Sequence, residues 1–165
     1  MPRFAITPEV LSTEPLAAEV AAAASADGEG CGAVTMFAGL VRAHHQGKAV
    51  RYLEYEAYPA LALKTFAQIA DEAAEEWPGV VLGMHHRTGR LAIGEASIVI
   101  AAASPHRAPS FAVCRYAIER VKQIAPIWKH EYFEGGDAAW VEGAIADPAD
   151  PAARAVARAR ACASA

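Results

Sequence analysis

Apolar residues recur every three or four positions in two long stretches of the chain, and elsewhere they alternate or run together. In "PALALKTFAQIADEAAEEW", residues 59–77, Leu63, Phe66, Ala70, Ala73 and Trp77 fall on one face, which predicts a helix begun near Pro59 and stopped by Pro78. In "PSFAVCRYAIERVKQIA", residues 109–125, Phe111, Cys114, Ile118, Val121 and Ala125 form a second such seam. It ends at Pro126, which disfavours helical backbone at the residue before it. A third helix is expected over "STEPLAAEVAAAAS", residues 12–25, with Ser12 or Thr13 as N-cap and Pro15 in its first turn.

The other segments read as strands. "RFAIT" (3–7) is short, and "AVTMFAGLV" (33–41) is a nearly continuous apolar run. "VRYLEYEAY" (50–58) alternates, with Val50, Tyr52 and Glu54 on one face and Arg51, Leu53 and Tyr55 on the other. The polar loop "RAHHQGKA" joins these last two, which are expected to be antiparallel neighbours. "GVVLGMHHRTG" and "GEASIVIAAAS" flank a turn region at Gly89 and Gly94, and "IWKHEYF" and "AAWVEG" suggest a hairpin across "EGGD". Helices packed on a mainly antiparallel sheet, an α+β domain, follow from this order. Residues 1–146 are expected to form a single domain, and the Ala/Arg-rich residues 147–165 a frayed or disordered tail.

Composition narrows the function. The chain has 165 residues, 54% hydrophobic and 21% charged, enough for one real core. A formal net charge of −4 argues against a nucleic-acid binder, so any anion site must be a local cluster of Arg, Lys and His. Cys31, Cys114 and Cys162 fit neither a disulfide scaffold nor a zinc site. No signal-peptide pattern opens the chain, and its longest alanine-rich run is too short to span a bilayer. A cytoplasmic protein without membrane attachment is expected.

Three groups could carry chemistry. In "SPHRAP", a helix starting near Pro109 leaves His106 and Arg107 in the loop before a helix N-terminus, a ready anion site that a solvated loop would explain equally well. Arg42 follows the apolar strand and precedes His44, His45 and Lys48, where it could be a plain strand terminator. Lys122 lies in the last helical turn, where the macrodipole accounts for its charge, but Lys129 beside Trp128 has no such explanation. Two lysines framing a proline suit a polyanionic ligand, with partial burial shifting their pKa values, and two solvated lysines are the alternative reading. The pairs His44/His45 and His85/His86 lack the i, i+4 spacing of a helical zinc site, and no Walker A or G-x-S-x-G motif is present. Cys114, on a helix seam, reads as core.

The segments "GAVTMFAGLVRAHHQGKAV", "LEYEAYPALALK", "HRTGRLAIGEASIVIAAASPHRAPSFAVCRYAIERVKQIAPIWKHEYF" and "WVEG", in this order, resemble the catalytic (large) subunit family of molybdopterin synthase. They span roughly residues 32–143, and "SPHR" followed by "K-x-x-x-P-x-W-K" carries most of the specificity. The resemblance implies an α+β fold of the α/β-hammerhead type and a sulfurtransferase of molybdenum-cofactor biosynthesis. Such an enzyme converts cyclic pyranopterin monophosphate to the molybdopterin dithiolene. Its sulfur donor is a small ubiquitin-like carrier with a C-terminal Gly-Gly thiocarboxylate. The catalytic subunits form a homodimer within a heterotetramer, and no cofactor or metal is implied for the step.

By position, the resemblance implies that Lys122 and Lys129 are catalytic and that Arg42, His106 and Arg107 bind substrate, flanked by Leu40, Val41, His130 and Glu131. Some relatives carry an arginine shortly after "WVE", where this chain has Gly143 and Ala144. Lys122 lies fifteen positions after Arg107. That separation is on the order of 22 Å along a helix. One small ligand can hardly reach both ends, so His106 and Arg107 are expected to complete the site of a dimer mate. The chain ends "ACASA", so the carrier is expected to be a separate protein. The competing class is a non-catalytic module that binds a phosphorylated metabolite or docks a carrier.

Overall fold

The computed structural model describes residues 2–26, 30–141 and 143–163. The chain runs β1 (Phe4–Thr7), α1 (Thr13–Ala24), β2 (Ala33–Leu40), β3 (His44–His45), β4 (Lys48–Ala57), α2 (Pro59–Glu76), β5 (Val81–Arg87), β6 (Gly89–Leu91), β7 (Ala96–Ser104), α3 (Arg107–Ile124), β8 (Ile127–Phe133), β9 (Ala138–Val141) and α4 (Pro151–Cys162). This is an α+β architecture built on two sheets. The break expected after the first helix falls mainly on residues 27–29 and the end of the last predicted strand on Glu142, both outside the described residues.

The first sheet has the order β1-β5-β7-β2, antiparallel except for β1 beside β5. Its inner strand β7 is apolar from Ile98 to Ala103 because both faces are covered. Ile98, Ile100 and Ala102 join the core beneath α2 and α3, while Val99, Ala101 and Ala103 pack with Leu16 and Val20 of α1. The second sheet has the order β3-β4-β8-β9, with β6 also paired to β4. Val41, Val50, Leu53, Leu91 and Phe133 form its own small core.

The structure corrects several expectations. β2 and β4 belong to different sheets: β2 pairs with β7, and β4 with β3, β6 and β8. The expected alternation in β4 fails because its pairing with β8 shifts register between Val50 and Tyr52. The irregularity turns both Val50 and Leu53 inward, although they are three positions apart. The α2 seam is rotated from the predicted one: Ala62, Phe66, Ile69 and Ala73 are buried, while Leu63 is exposed. Phe111, predicted on the α3 seam, is likewise exposed, and Val113, Tyr116, Ala117 and Ile124 are buried instead.

α3 begins at Arg107, with His106 as N-cap, rather than near Pro109. Pro109 is tolerated because the first helical turn has no intrahelical acceptor for its N–H groups. The turn before it is held by the Ser104 hydroxyl, which donates to the His106 carbonyl at 2.5 Å and accepts from the His106 N–H at 3.1 Å. Gly32 packs against this turn so closely that an added Cβ would lie 2.1 Å from the Pro105 carbonyl oxygen.

The segment expected to fray is instead helix α4, docked on α2 and α3. Asp150 caps it by accepting from the Ala152 N–H at 2.8 Å, and Ala157 is fully buried. Arg154, Arg158 and Arg160 meet Glu75, Glu76 and Glu119. Low complexity hid an amphipathic pattern, small residues on the inner face and arginines along the flanks.

Candidate functional site

Lys122 and Lys129 open onto one continuous depression between the two sheets. α3 carries Lys122 in its last turn and stops at Ala125 and Pro126, after which the chain returns as β8. The antiparallel register places Lys129 opposite Tyr55 and Glu131 opposite Leu53, so these four share the inner face. On one side of the lysines the depression is cationic, lined by Arg42, His44, His45 and Glu131 along with Leu40. On the other side it widens to about 340 Å³ between Tyr55, His86, Val121, Ile127, Val141 and Gly143.

The charges are set by their neighbours. Lys122 is exposed by surface area yet lines this concave space, where surrounding protein removes part of its hydration. Burial thus holds its ammonium below the ordinary lysine range, and the positive charges of Lys129 and Arg42 lower it further, against the opposing pull of Glu119. Glu131 is buried, which alone would raise its pKa. Hydrogen bonds from Lys129 and His45 outweigh that and keep it below the usual carboxylate range. The distances are 2.9 Å from Lys129 Nζ to Oε1 and 2.5 Å from His45 Nδ1 to Oε2. Glu131 therefore fixes Lys129 and His45 in place rather than serving as a free base.

The other residues proposed from the sequence divide clearly. Arg42 and Leu40 line the depression. Val41 does not: its side chain is in the core, its N–H donates to the Glu95 carbonyl and its carbonyl accepts from Gly94. His130 points to the opposite face, stacked on Trp140 with centroids 4.6 Å apart and packed against Tyr132. Strand alternation explains this, since its neighbours Lys129 and Glu131 face inward. His106 and Arg107 are exposed at the far end of α3 and line no part of the Lys122 depression. Gly143 and Ala144 lie in its wall, and a Cβ at Gly143 would sit 2.9 Å from Trp128 Cδ1, so a longer side chain there requires Trp128 to move.

Sequence reasoning missed His86, Tyr55 and Ser97. His86 was weighed only for zinc spacing. Period-two alternation carries the signal, because Leu82, Met84 and His86 share one face and His86 stands at the end of that buried row. Its Nδ1–H donates to the Arg87 carbonyl at 2.8 Å, and the Tyr55 ring meets it edge-on at 5.1 Å. Burial, helped by the charge of Lys122, pushes its pKa down to about 4, so the ring is neutral at pH 7. Such a site can neutralise an anion and manage protons nearby.

The family described as MoaE protein matches residues 11–124. A molybdopterin synthase catalytic subunit from Halalkalibacterium halodurans is 50% identical over 110 residues, covering 67% of this chain and 70% of the relative. One from Bacillus subtilis is 42% identical over 151 residues, 92% of each chain. The crystal structure of molybdopterin synthase from Staphylococcus aureus matches with a TM-score of 0.79 and 40% identity, over 86% of this chain and 98% of that one. A protein–protein complex of subunits 1 and 2 of molybdopterin-converting factor from Helicobacter pylori matches with a TM-score of 0.68 and 26% identity, over 86% of this chain and 91% of that one.

Proposed function

Because the chain belongs to the MoaE family, we propose that the depression around Lys122 and Lys129 is where it performs that family's sulfur transfer. The function is that of a molybdopterin synthase catalytic subunit, a sulfurtransferase of molybdenum-cofactor biosynthesis, and the partner is a small sulfur-carrier subunit. The substrate is cyclic pyranopterin monophosphate, and the carrier donates sulfur from its C-terminal Gly-Gly thiocarboxylate. Residues 1–146 carry the catalytic domain. Among the described residues no helix is long and apolar enough to cross a membrane, and we place the protein in the cytoplasm.

The observation that carries this reading is the convergence of Lys122, Lys129 and Arg42 on one concave site. Three cations close together suit a phosphate and a thiocarboxylate brought into one space, and they stabilise charge that builds on the leaving oxygen as the C–S bond forms. Lys122, with its lowered pKa and central position, is the catalytic cation and proton donor. Lys129 is held on Glu131 as the second. Leu40 shapes the rim of the site. The dimer mate supplies His106 and Arg107, since α3 separates them from Lys122 of the same chain. A row of exposed apolar side chains on the sheet-edge strand β2, Val34, Met36 and Leu40, offers a face for that second copy.

The test is an assay for dithiolene with purified protein, thiocarboxylated carrier and cyclic pterin. Wild-type protein is expected to form product, and Lys122→Ala to lose at least about 10²-fold in rate while still binding carrier. Equal rates for the two proteins would remove Lys122 from the chemistry.

A further inference from the structure

We propose that His86 is the general base that activates the water needed to free the carrier after each sulfur transfer. This rests on the sulfur-transfer reading above. When a thiocarboxylate sulfur displaces an oxygen from a substrate carbon, the C–O bond breaks as the C–S bond forms, and the carrier's acyl carbon and the substrate become joined through a thioester. The sulfur is delivered only when that acyl–sulfur bond breaks. Water supplies the oxygen: it adds to the acyl carbon, the carrier leaves as a carboxylate, the substrate keeps the sulfur as a thiolate, and two protons are released. No oxidant or reductant is required, but one group must take a proton from the attacking water.

Among the described residues lining the depression, His86 is the one equipped for this. Its side chain is 5% exposed and lines the same cavity as Lys122 and Lys129. Its Nδ1–H is committed to the Arg87 carbonyl, which fixes the tautomer and leaves the Nε2 lone pair. Among the described residues none hydrogen-bonds Nε2, and the Tyr55 ring meets the imidazole from the side. The alternatives are occupied or misplaced. Both oxygens of Glu131 are taken by Lys129 and His45, and His44 and His45 line the cationic side of the depression rather than the wider side that His86 lines. Lys122 and Lys129, as cations, suit the acyl oxygen and can give a proton but not take one from the attacking water.

Burial and the charge of Lys122 hold His86 neutral. Bound phosphate and thiocarboxylate bring negative charge close to it and make the imidazole more basic, so it becomes an effective base only when the substrates are in place.

The experiment is a single turnover with thiocarboxylated carrier and cyclic pterin, followed by intact-mass analysis of the carrier. His86→Asn keeps an amide N–H near the Nδ1 position and removes Nε2. It is expected to accumulate a carrier–pterin adduct and to slow carrier release by roughly 10²-fold. His86→Gly with added imidazole is expected to clear the adduct, which a purely structural role does not predict. Release at the wild-type rate in His86→Asn would overturn the assignment. So would a folded, carrier-binding variant that forms neither adduct nor product. If wild-type protein consumes no thiocarboxylate at all, the proposed function falls and the assignment falls with it.

Discussion

Lys122 differs from an ordinary surface lysine through its neighbours, and its titration reports on them. A like charge nearby destabilises the ammonium and lowers its pKa. Lys129 is such a charge, so removing it in Lys129→Ala should move the Lys122 pKa upward, toward the usual value near 10.4. The side-chain nitrogen signal of Lys122, followed by NMR through alkaline pH, measures this. An unchanged or lower value would mean the two lysines do not share the site. The grouping of Lys122, Lys129 and Arg42 as site candidates was legible in the sequence, because charged residues in apolar surroundings stand out. His130 and Val41 were misplaced because a resemblance transfers positions without side-chain directions. His86 stayed hidden because its environment comes from β4 and α3, far away in the chain.

At the scale of elements, α2 and α3 are joined by a buried ion pair that no sequence pattern announced. Arg120 is fully buried and grips Glu72 with two hydrogen bonds, of 2.8 Å and 2.7 Å. Tyr116 and Gln68 donate to the same carboxylate, and Arg120 also donates to the Pro148 carbonyl in the segment leading to α4. Glu72→Ala leaves a buried guanidinium without its anion, which is expected to cost about 3–5 kcal/mol in urea unfolding. Arg158→Ala, an exposed pair with Glu76, should cost under about 1 kcal/mol. Equal effects would refute this picture of how α4 is held. α1 to α3 and most strands were legible in the sequence, whereas α4 and the sheet partners were not. Pairing β2 with β7 and β4 with β8 depends on long-range closure, and nothing local in "RAHHQGKA" distinguishes a hairpin from a passage between two sheets.

At the scale of the whole molecule, the two ends of α3 carry different groups of candidate residues. The lysines stand at one end of α3, and His106 and Arg107 at the other. Gly32, pressed against the Pro105 carbonyl, and the Ser104 hydroxyl shape the turn that leaves His106 and Arg107 exposed. An active site completed by the second copy would make dimerisation part of catalysis rather than a means of stability alone. The most direct measurement is dithiolene formation by a hybrid dimer of one Lys122→Ala subunit and one Arg107→Ala subunit. If sites are shared, one of the two contains both defects and the other neither, so the hybrid should retain about half the activity of a wild-type dimer. Each variant homodimer should be nearly inactive. A hybrid no more active than the variant homodimers would contradict the account, because each site would then be built from a single chain.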